Sequence, residues 1–293
     1  MAAMIELIDG GFGERTTFRV GGTAGRVIEV DDREDLIDAV GRGIAMPVFV
    51  LGRGSNTLVA DEGFPGTVVH LGDGFAGIDV DPTSGLIVAG GAADLPVVAR
   101  RSVEAGLTGF EWAVGVPGSV GGATKMNAGG HGSDMAASLR EATVMDLSTG
   151  AITRRDPASL DLAYRSSSIA PHEAVLEIKL SLDRGDPDEG RARLREIVRW
   201  RREHQPGGAN CGSVFTNPPG DSAGRLIEAA GLKGVEMGTA SVSAKHANFI
   251  QASAGGRADD VARLIEHIVE TVEEREGVRL RSEVRMIGFG GDS

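Results

Sequence analysis

Along its first half the chain reads as short strands broken by glycine turns, with few stretches at helical spacing. Arg26 to Val30 alternates as a strand does. Asp31-Asp32 then offers an N-cap, Asp35 sits near the third helical position, Leu36, Ile37 and Val40 point one way, and Gly41 closes the helix. Pro47 to Leu51 is a compact apolar strand that completes a βαβ unit. Strands are predicted again at Thr67 to Leu71 and Leu86 to Ala89, and a helix at Leu95 to Ala105, ended by Gly106. Three more strands follow at Glu141 to Leu147, Ala151 to Arg154 and Val175 to Leu182.

The last third changes character. Residues 183–190 are polar and rich in turn formers, which makes them the best linker candidate. Arg191 to Arg202 holds six arginines and one glutamate, with Leu194, Ile197 and Val198 at helical spacing. Its default reading is a solvated amphipathic helix. Its sharper reading is an electropositive wall beside a phosphorylated ligand. Ser222 to Ala230 is a short helix closed by Gly231. Ala258 to Glu274 is the strongest helix of the chain, with Val261, Leu264, Ile265, Ile268 and Val272 on one face. Val278 to Ile287 reads as a final strand.

Composition narrows the function. At 293 residues the chain has room for about two domains. Its formal charge of −12 argues against nucleic-acid binding, which draws on a basic excess. Glycine, at 44 residues, is about twice its ordinary share. A single cysteine, Cys211, rules out an intramolecular disulfide and a cysteine-based zinc site, and fits a reduced cytoplasm. Met1 to Gly13 lacks the pattern of a secretory leader, and no apolar run approaches membrane-spanning length, so no membrane association is expected. The six histidines form no close cluster, so no metal site is expected.

The glycines gather in two loops. Gly52-Arg53-Gly54-Ser55-Asn56 follows a strand and no predicted helix follows it, which excludes the dinucleotide fingerprint of parallel α/β folds. A backbone nest, with serine and asparagine as extra donors, is the remaining reading. The second loop, Gly115 to Gly132, is so dense in glycine that ordering it costs much entropy. Close approach to a large flat ligand would explain that cost. Two such loops on a β-rich domain point to a dinucleotide cofactor laid across its surface. Gly220-Asp221-Ser222-Ala223-Gly224 matches the hydrolase elbow in letters only: Pro218-Pro219 precede it where a central strand is needed, so Asp221-Ser222 is read as a helix cap.

Five landmarks in order resemble one family across nearly the whole chain. They are Leu51-Gly52-Arg53-Gly54-Ser55-Asn56, Gly115-Val116-Pro117-Gly118-Ser119-Val120-Gly121-Gly122, Tyr164-Arg165, Gly212-Ser213-Val214-Phe215 with Asn217-Pro218, and Lys245-His246-Ala247-Asn248-Phe249. The chain resembles the UDP-N-acetylenolpyruvoylglucosamine reductases, flavoenzymes of bacterial peptidoglycan synthesis. The resemblance implies an α+β chain. A vanillyl-alcohol-oxidase (PCMH) type FAD domain is expected over 16–185, in lobes of about 16–67 and 68–185, followed by a smaller α/β substrate domain over 191–293. It implies non-covalent FAD, NADPH as reductant, a UDP-sugar substrate, a cytoplasmic location and a monomer.

The same resemblance assigns roles residue by residue. Ser213 is the proton donor, and Arg165 and Glu283 polarise the substrate carboxylate and stabilise the enolate. Gly52, Arg53, Gly54, Ser55, Asn56, Thr57, Gly118, Ser119, Gly121, Gly122, Asn127, Arg201 and Arg285 fall where the family holds its flavin. Tyr164, His204 and Asn217 fall where it holds substrate. His204 is a departure, since the family often has lysine there and histidine carries less charge at pH 7. Gly129-Gly130-His131-Gly132 is another, standing where Gly-Ala-Tyr-Gly is common. The short interval from Arg165 to Ser213 favours the subtype without an extra tyrosine-bearing loop. The competing readings are an FAD oxidase of the same fold, with His131 as a point of covalent attachment, and a flavin-free module that binds a sugar nucleotide.

Overall fold

Asp32 shows how local chemistry sets the first helix, α1 (Arg33–Gly41). Its extended backbone precedes the helix, and its carboxylate accepts from the Asp35 N–H at 2.8 Å. Such a cap contributes about 1 kcal/mol. Leu36 and Ala39 are buried, whereas Ile37, expected on the inner face, is 49% exposed. The inward stripe runs through Leu36, Ala39 and Val40, shifted from the one the periodicity predicts.

The coordinates are a computed structural model that describes residues 5–290. Part of the N-terminal segment read for a leader, and the last residues of the expected substrate domain, lie outside that range. The chain divides into two compact units. The first takes the chain through Ile8, Arg26–Arg53 and Gly66–Arg201; the second takes Asp9–Gly25, Gly54–Pro65 and the residues from Arg202 onward.

In the first unit α1 packs on a four-stranded sheet in the order Ile5–Gly11, Thr23–Val30, Phe64–Leu71, Val48–Leu51. Val48 pairs in parallel with Thr67, and Phe64–Leu71 lies between the two strands that flank α1 in sequence. A second, antiparallel sheet runs Ile152–Arg155, Leu139–Asp146, Glu173–Ser181, Leu86–Gly90, Ile78–Asp81. Helix α2 (Leu95–Glu104) covers it with Leu95, Val98 and Ala99 in a core that includes Phe110, Trp112 and Ile178. The second glycine segment is more ordered than its composition predicts. It contains helix α3 (Val120–Lys125), capped by Ser119, and a hairpin pairing Gly129–Gly130 with Ser133–Asp134.

Residues 183–190 fold rather than loop. Asp183–Arg184 pairs with Leu107–Thr108, and Asp186 accepts from the N–H groups of Asp188 and Glu189 as helix α4 (Pro187–His204) begins. Polar turn formers serve here as ladder end and cap. Ile197 and Gly190 face inward on α4. A Cβ on Gly190 would meet Val103 Cγ1 at 2.7 Å, so the glycine permits close packing on α2.

The second unit is built on helix α6 (Ala258–Glu276), whose five predicted apolar positions are all buried and which ends at left-handed Gly277. Burying each Val, Leu or Ile there stabilises by roughly 1.5–3 kcal/mol. Helix α5 (Ala223–Ala229) packs in the same core, with Ser222 accepting from the Arg225 N–H as its cap. The predicted strand over 278–287 is shorter, at Arg285–Ile287. The cause is a change of partner. Arg281 and Glu283 bond to Thr216 and Val214, then Arg285–Ile287 pairs in parallel with Thr57–Val59. That pairing places the 54–65 segment with the C-terminal residues. Among the described residues no helix is long and apolar enough to cross a membrane.

Candidate functional site

The first unit carries an open cleft with an internal volume of about 100 Å³. Its lining joins Gly52 and Arg53, after strand Val48–Leu51, to Ser119, Gly121 and Gly122 at the start of α3. The two glycine loops therefore meet, at least through these five residues. A Cβ on Gly52 would lie 2.4 Å from Ser119 Oγ, and one on Gly121 would lie 3.0 Å from the Gly91 carbonyl oxygen. At these glycines the wall is bare backbone, because a side chain there would collide or fill the space.

The backbone donors that open α3 are turned to the fold. Val120 N–H donates to the Ala93 carbonyl at 2.9 Å, Gly121 N–H to that of Gly91 at 2.8 Å, and Gly122 N–H to Ser119 Oγ at 3.3 Å. These donors hold the wall itself. Positive charge comes instead from side chains. Lys125 lines the cleft and donates to the Ala170 carbonyl at 2.9 Å; Arg53 also lines it and pairs with Asp94 at 2.6 Å. Glu173, another lining residue, is 7% exposed and ion-paired with Arg155. Burial pushes its carboxyl up, but bonds from Arg155 and the Ala170 N–H outweigh that and hold it below the ordinary range. His70, Asp73, Gly91 and Lys125 were not singled out by sequence as cleft residues. Their only signal is proximity to glycine, which does not discriminate in so glycine-rich a chain.

Other expected residues of the first unit lie away from that lining. Asn127 is 2% exposed, and its side chain is spent on the fold. It donates to the Ala163 carbonyl at 2.9 Å and to Asp134 at 3.3 Å, and accepts from the Ala136 N–H at 3.0 Å. Arg165 takes a left-handed backbone, φ 58°, rare outside glycine. Its guanidinium donates to the Gly129 carbonyl at 2.8 Å and stands 5.2 Å above the exposed Tyr164 ring. Asn127 thus orders the turn that Arg165 leans on. His131 packs edge-on against Trp200, 5.2 Å between centroids, outside the cleft lining. Burial, then Arg193 and Arg201, push its pKa down. Arg201 is itself lowered by burial.

In the second unit the structure brings Ser213 and Glu283 onto paired backbone. Glu283 N–H donates to the Val214 carbonyl at 2.9 Å, one residue past Ser213. Gly212, at φ 84°, makes the turn into that segment. Cys211 beside it is buried, and burial, with Glu283 second, raises its thiol pKa. Asn56 Nδ2 donates to the Glu283 carbonyl at 2.7 Å, and its own carbonyl accepts from the Arg285 N–H at 2.9 Å. Its side-chain donor is therefore engaged with the Glu283 strand. Asn217 Oδ1 accepts from the Ala223 N–H at 3.1 Å, beside the Ser222 cap. Gly54, Ser55, Thr57, Arg285 and exposed His204 belong to this unit as well. The elbow-like Ser222 is a helix cap, as its prolines predict.

The FAD binding domain family matches residues 24–155, and the fold is α+β. The class is thus a flavoprotein with an FAD domain of the vanillyl-alcohol-oxidase (PCMH) type and a smaller C-terminal domain. The C-terminal domain of UDP-N-acetylenolpyruvoylglucosamine reductase matches residues 204–287. The reductase of Synechococcus sp. (strain RCC307) is 42% identical over 96% of this chain and 93% of its own length. That of Rubrobacter xylanophilus is 41% identical over 93% of this chain and 92% of its own. The crystal structure of the Thermus caldophilus reductase superposes with a TM-score of 0.83 at 35% identity, covering 98% of this chain and 100% of that one. The chain belongs to the UDP-N-acetylenolpyruvoylglucosamine reductase family.

The cleft suits the cofactor of that class. A bare backbone wall admits a flat group, and Lys125 and Arg53 supply positive charge for a diphosphate.

Proposed function

We propose that this protein reduces UDP-N-acetyl-3-O-enolpyruvylglucosamine to UDP-N-acetylmuramate, with NADPH as reductant and non-covalent FAD, in peptidoglycan precursor synthesis. The observation that carries the reading is the pairing of Glu283 with Val214, which sets the carboxylate strand against the residue after Ser213. It stands on family membership over nearly the full chain.

Gly52, Arg53, Ser119, Gly121, Gly122 and Lys125 would hold FAD. Gly54, Ser55, Asn56, Thr57, Gly118, Asn127, Arg201 and Arg285 are assigned to its surroundings by resemblance, with Asn56 and Asn127 serving through the backbone they tether. FAD held there would supply hydride chemistry between NADPH and the methylene carbon of the enolpyruvyl group. The neighbouring carbon then carries carbanion character and needs one proton. Ser213 supplies it. A hydroxyl is a weak acid at pH 7, but an enolate is a far stronger base, so transfer proceeds once geometry is fixed. Arg165 suits the substrate carboxylate because its planar fork matches two oxygens and stays charged. Glu283 orients the donor or, protonated, donates a hydrogen bond itself. Tyr164, His204 and Asn217 contact substrate in this reading.

In this reading the cofactor domain runs over 16–185 and the substrate domain over 191–293, bounds that differ from the compact units, where residues 9–25 and 54–65 group with the C-terminal residues. The protein works as a cytoplasmic monomer, and neither nucleic acid nor membrane enters its reaction. Its one tyrosine, Tyr164, leaves none for a tyrosine-bearing loop in the C-terminal domain. The test is anaerobic: NADPH bleaches the flavin, and titration with the enolpyruvyl sugar nucleotide restores the colour one for one. Reduced protein that the substrate fails to reoxidise sinks the assignment.

A further inference from the structure

The Lys245–Phe249 landmark holds none of the residues assigned to the reaction, yet its asparagine is bonded through both side-chain amide atoms to the segment that follows Ser213. Asn248 is 4% exposed. Its side-chain amide pairs with Phe215 as a peptide group would. Oδ1 accepts from the Phe215 N–H at 2.9 Å, and Nδ2 donates to the Phe215 carbonyl at 2.8 Å. Its backbone carbonyl accepts from the Val214 N–H at 2.9 Å. Three bonds from one residue thus end on the two residues that follow Ser213.

The opposite flank is held as well. Val214 carbonyl accepts from the Glu283 N–H at 2.9 Å and from Ser282 Oγ at 3.3 Å, and Thr216 N–H donates to the Arg281 carbonyl at 3.0 Å. Val214 and Phe215 are 0% and 1% exposed, so their side chains anchor the same segment. Ser213, half-buried, is the last residue before the clamp. No other side chain reproduces the arrangement. Aspartate lacks the Nδ2 donor, leucine leaves both Phe215 groups unpaired, and glutamine is one methylene too long.

We propose that Asn248 is a positioning residue for Ser213: it clamps the peptide groups of Val214 and Phe215 and so aims the seryl hydroxyl at the carbon it protonates. The proposal rests on the reading of Ser213 as proton donor. The Asn248 side-chain amide bonds to backbone and acts through the serine. A misplacement of about 1 Å costs such a transfer about 100-fold.

The test uses the FAD-loaded enzyme and follows the two half-reactions separately by stopped flow. Asn248→Asp is expected to slow reoxidation by the enolpyruvyl substrate about 100-fold, with flavin reduction by NADPH within about twofold of wild type. Ser213→Ala/Asn248→Asp is expected to be no slower than Ser213→Ala alone, since a positioning residue has nothing left to position. In the cofactor-free protein, exchange of the Val214 and Phe215 amides should accelerate at least about tenfold in Asn248→Asp. Asn248→Gln keeps the amide but displaces it, and serves if the aspartate variant fails to load FAD; about tenfold slower reoxidation is expected. Wild-type reoxidation in the Asn248 variants, or multiplied losses in the double variant, would overturn the proposal while a slow Ser213→Ala preserved the donor reading. Wild-type reoxidation in Ser213→Ala would sink both.

Discussion

The cleft beside Gly52 and the segment that carries Ser213 are built on opposite principles. The cleft is made by omission. Its wall is main chain held to main chain, Gly121 to Gly91 and Val120 to Ala93, and its shape depends on absent Cβ atoms. The Ser213 segment is made by addition, with a buried amide closing a bridge to Phe215. A site that holds a flat group by shape fails when an atom is added. A site that aims one hydroxyl fails when a single donor is removed. Each contrast carries its own mutational signature.

The exception within the cleft gives the largest expected effect. Glu173 is a buried carboxylate among the backbone walls, held by Arg155 and the Ala170 N–H. Arg155→Met leaves that charge buried without its cation, which costs about 3–5 kcal/mol. The sign with pH follows from the depressed carboxyl. In the wild type its contribution is full above the ordinary carboxylate range and is lost as pH falls through the lowered value. In Arg155→Met burial acts with less opposition and raises the carboxyl, so the deficit should shrink as pH falls and the stranded group takes a proton. Urea unfolding at pH 7 and pH 5 checks this. A deficit that grew toward pH 5 would mean Arg155 is not what holds Glu173 ionised.

Gly121→Val tests the omission directly. Its Cβ would press on the Gly91 oxygen at 3.0 Å, and branching adds bulk toward the cleft. Overpacking of about 1–3 kcal/mol weakens FAD roughly 10- to 100-fold if the strain is relieved into the cleft. Fluorescence titration reads the affinity and thermal unfolding of the cofactor-free protein reads the fold. Unchanged affinity with a lowered melting temperature would show that the atom is absorbed by the protein, and the contrast between the two regions would blur.

The two regions were also unequally legible in the sequence. Glycine density pointed to the cleft because omission leaves a compositional trace, and Gly52, Arg53, Ser119, Gly121 and Gly122 all line it. The same density hid α3, whose cap is a single serine within a glycine run. Asn127, placed among the cofactor residues by resemblance, makes three bonds that tie two loops of the protein together, a role that no local pattern announces. Both halves of the clamp stood among the landmarks, but their pairing left no local pattern. Asn248 and Phe215 are 33 residues apart, and neither periodicity nor spacing encodes a side chain imitating a peptide. The long helix α6 was legible for the opposite reason, since five apolar residues at one period are a local fact. The final strand was over-extended because nothing local marks the change of partner at Glu283.

His246 offers a finer test of the added site. Its Nδ1 accepts from the Asn248 N–H at 3.2 Å, which requires the neutral ring. Burial, with Lys233 and His204 acting the same way, lowers its pKa, while Glu228 opposes them. The unfolded chain then binds the proton first, so stability declines as pH falls below about 6.5 and keeps falling until the depressed value is reached. His246→Gln cannot titrate and should flatten that part of the profile, leaving the carboxylate-driven loss at lower pH. Chemical denaturation between pH 5 and 8 is the measurement. Equal slopes in the two proteins would detach His246 from the clamp.

The smallest effect bears most directly on what holds a diphosphate in a cleft made of backbone. Arg53 is paired with Asp94, but the two side chains are 53% and 40% exposed, so the ion pair contributes little to folding. Arg53→Ala should leave the unfolding midpoint of the cofactor-free protein unchanged within about 0.5 kcal/mol. Arg53 also lines the cleft, where its charge would face a negative ligand. FAD affinity should then fall by up to about fivefold at low ionic strength, and the gap between variant and wild type should close as salt screens the charge. Fluorescence titrations at two salt concentrations decide it. An affinity untouched at both would mean that the wall and Lys125 hold the cofactor without help from Arg53, and that the cleft is still more purely a matter of shape. An equal loss at both would instead place the arginine in contact with the cofactor through packing rather than charge, since only charge is screened.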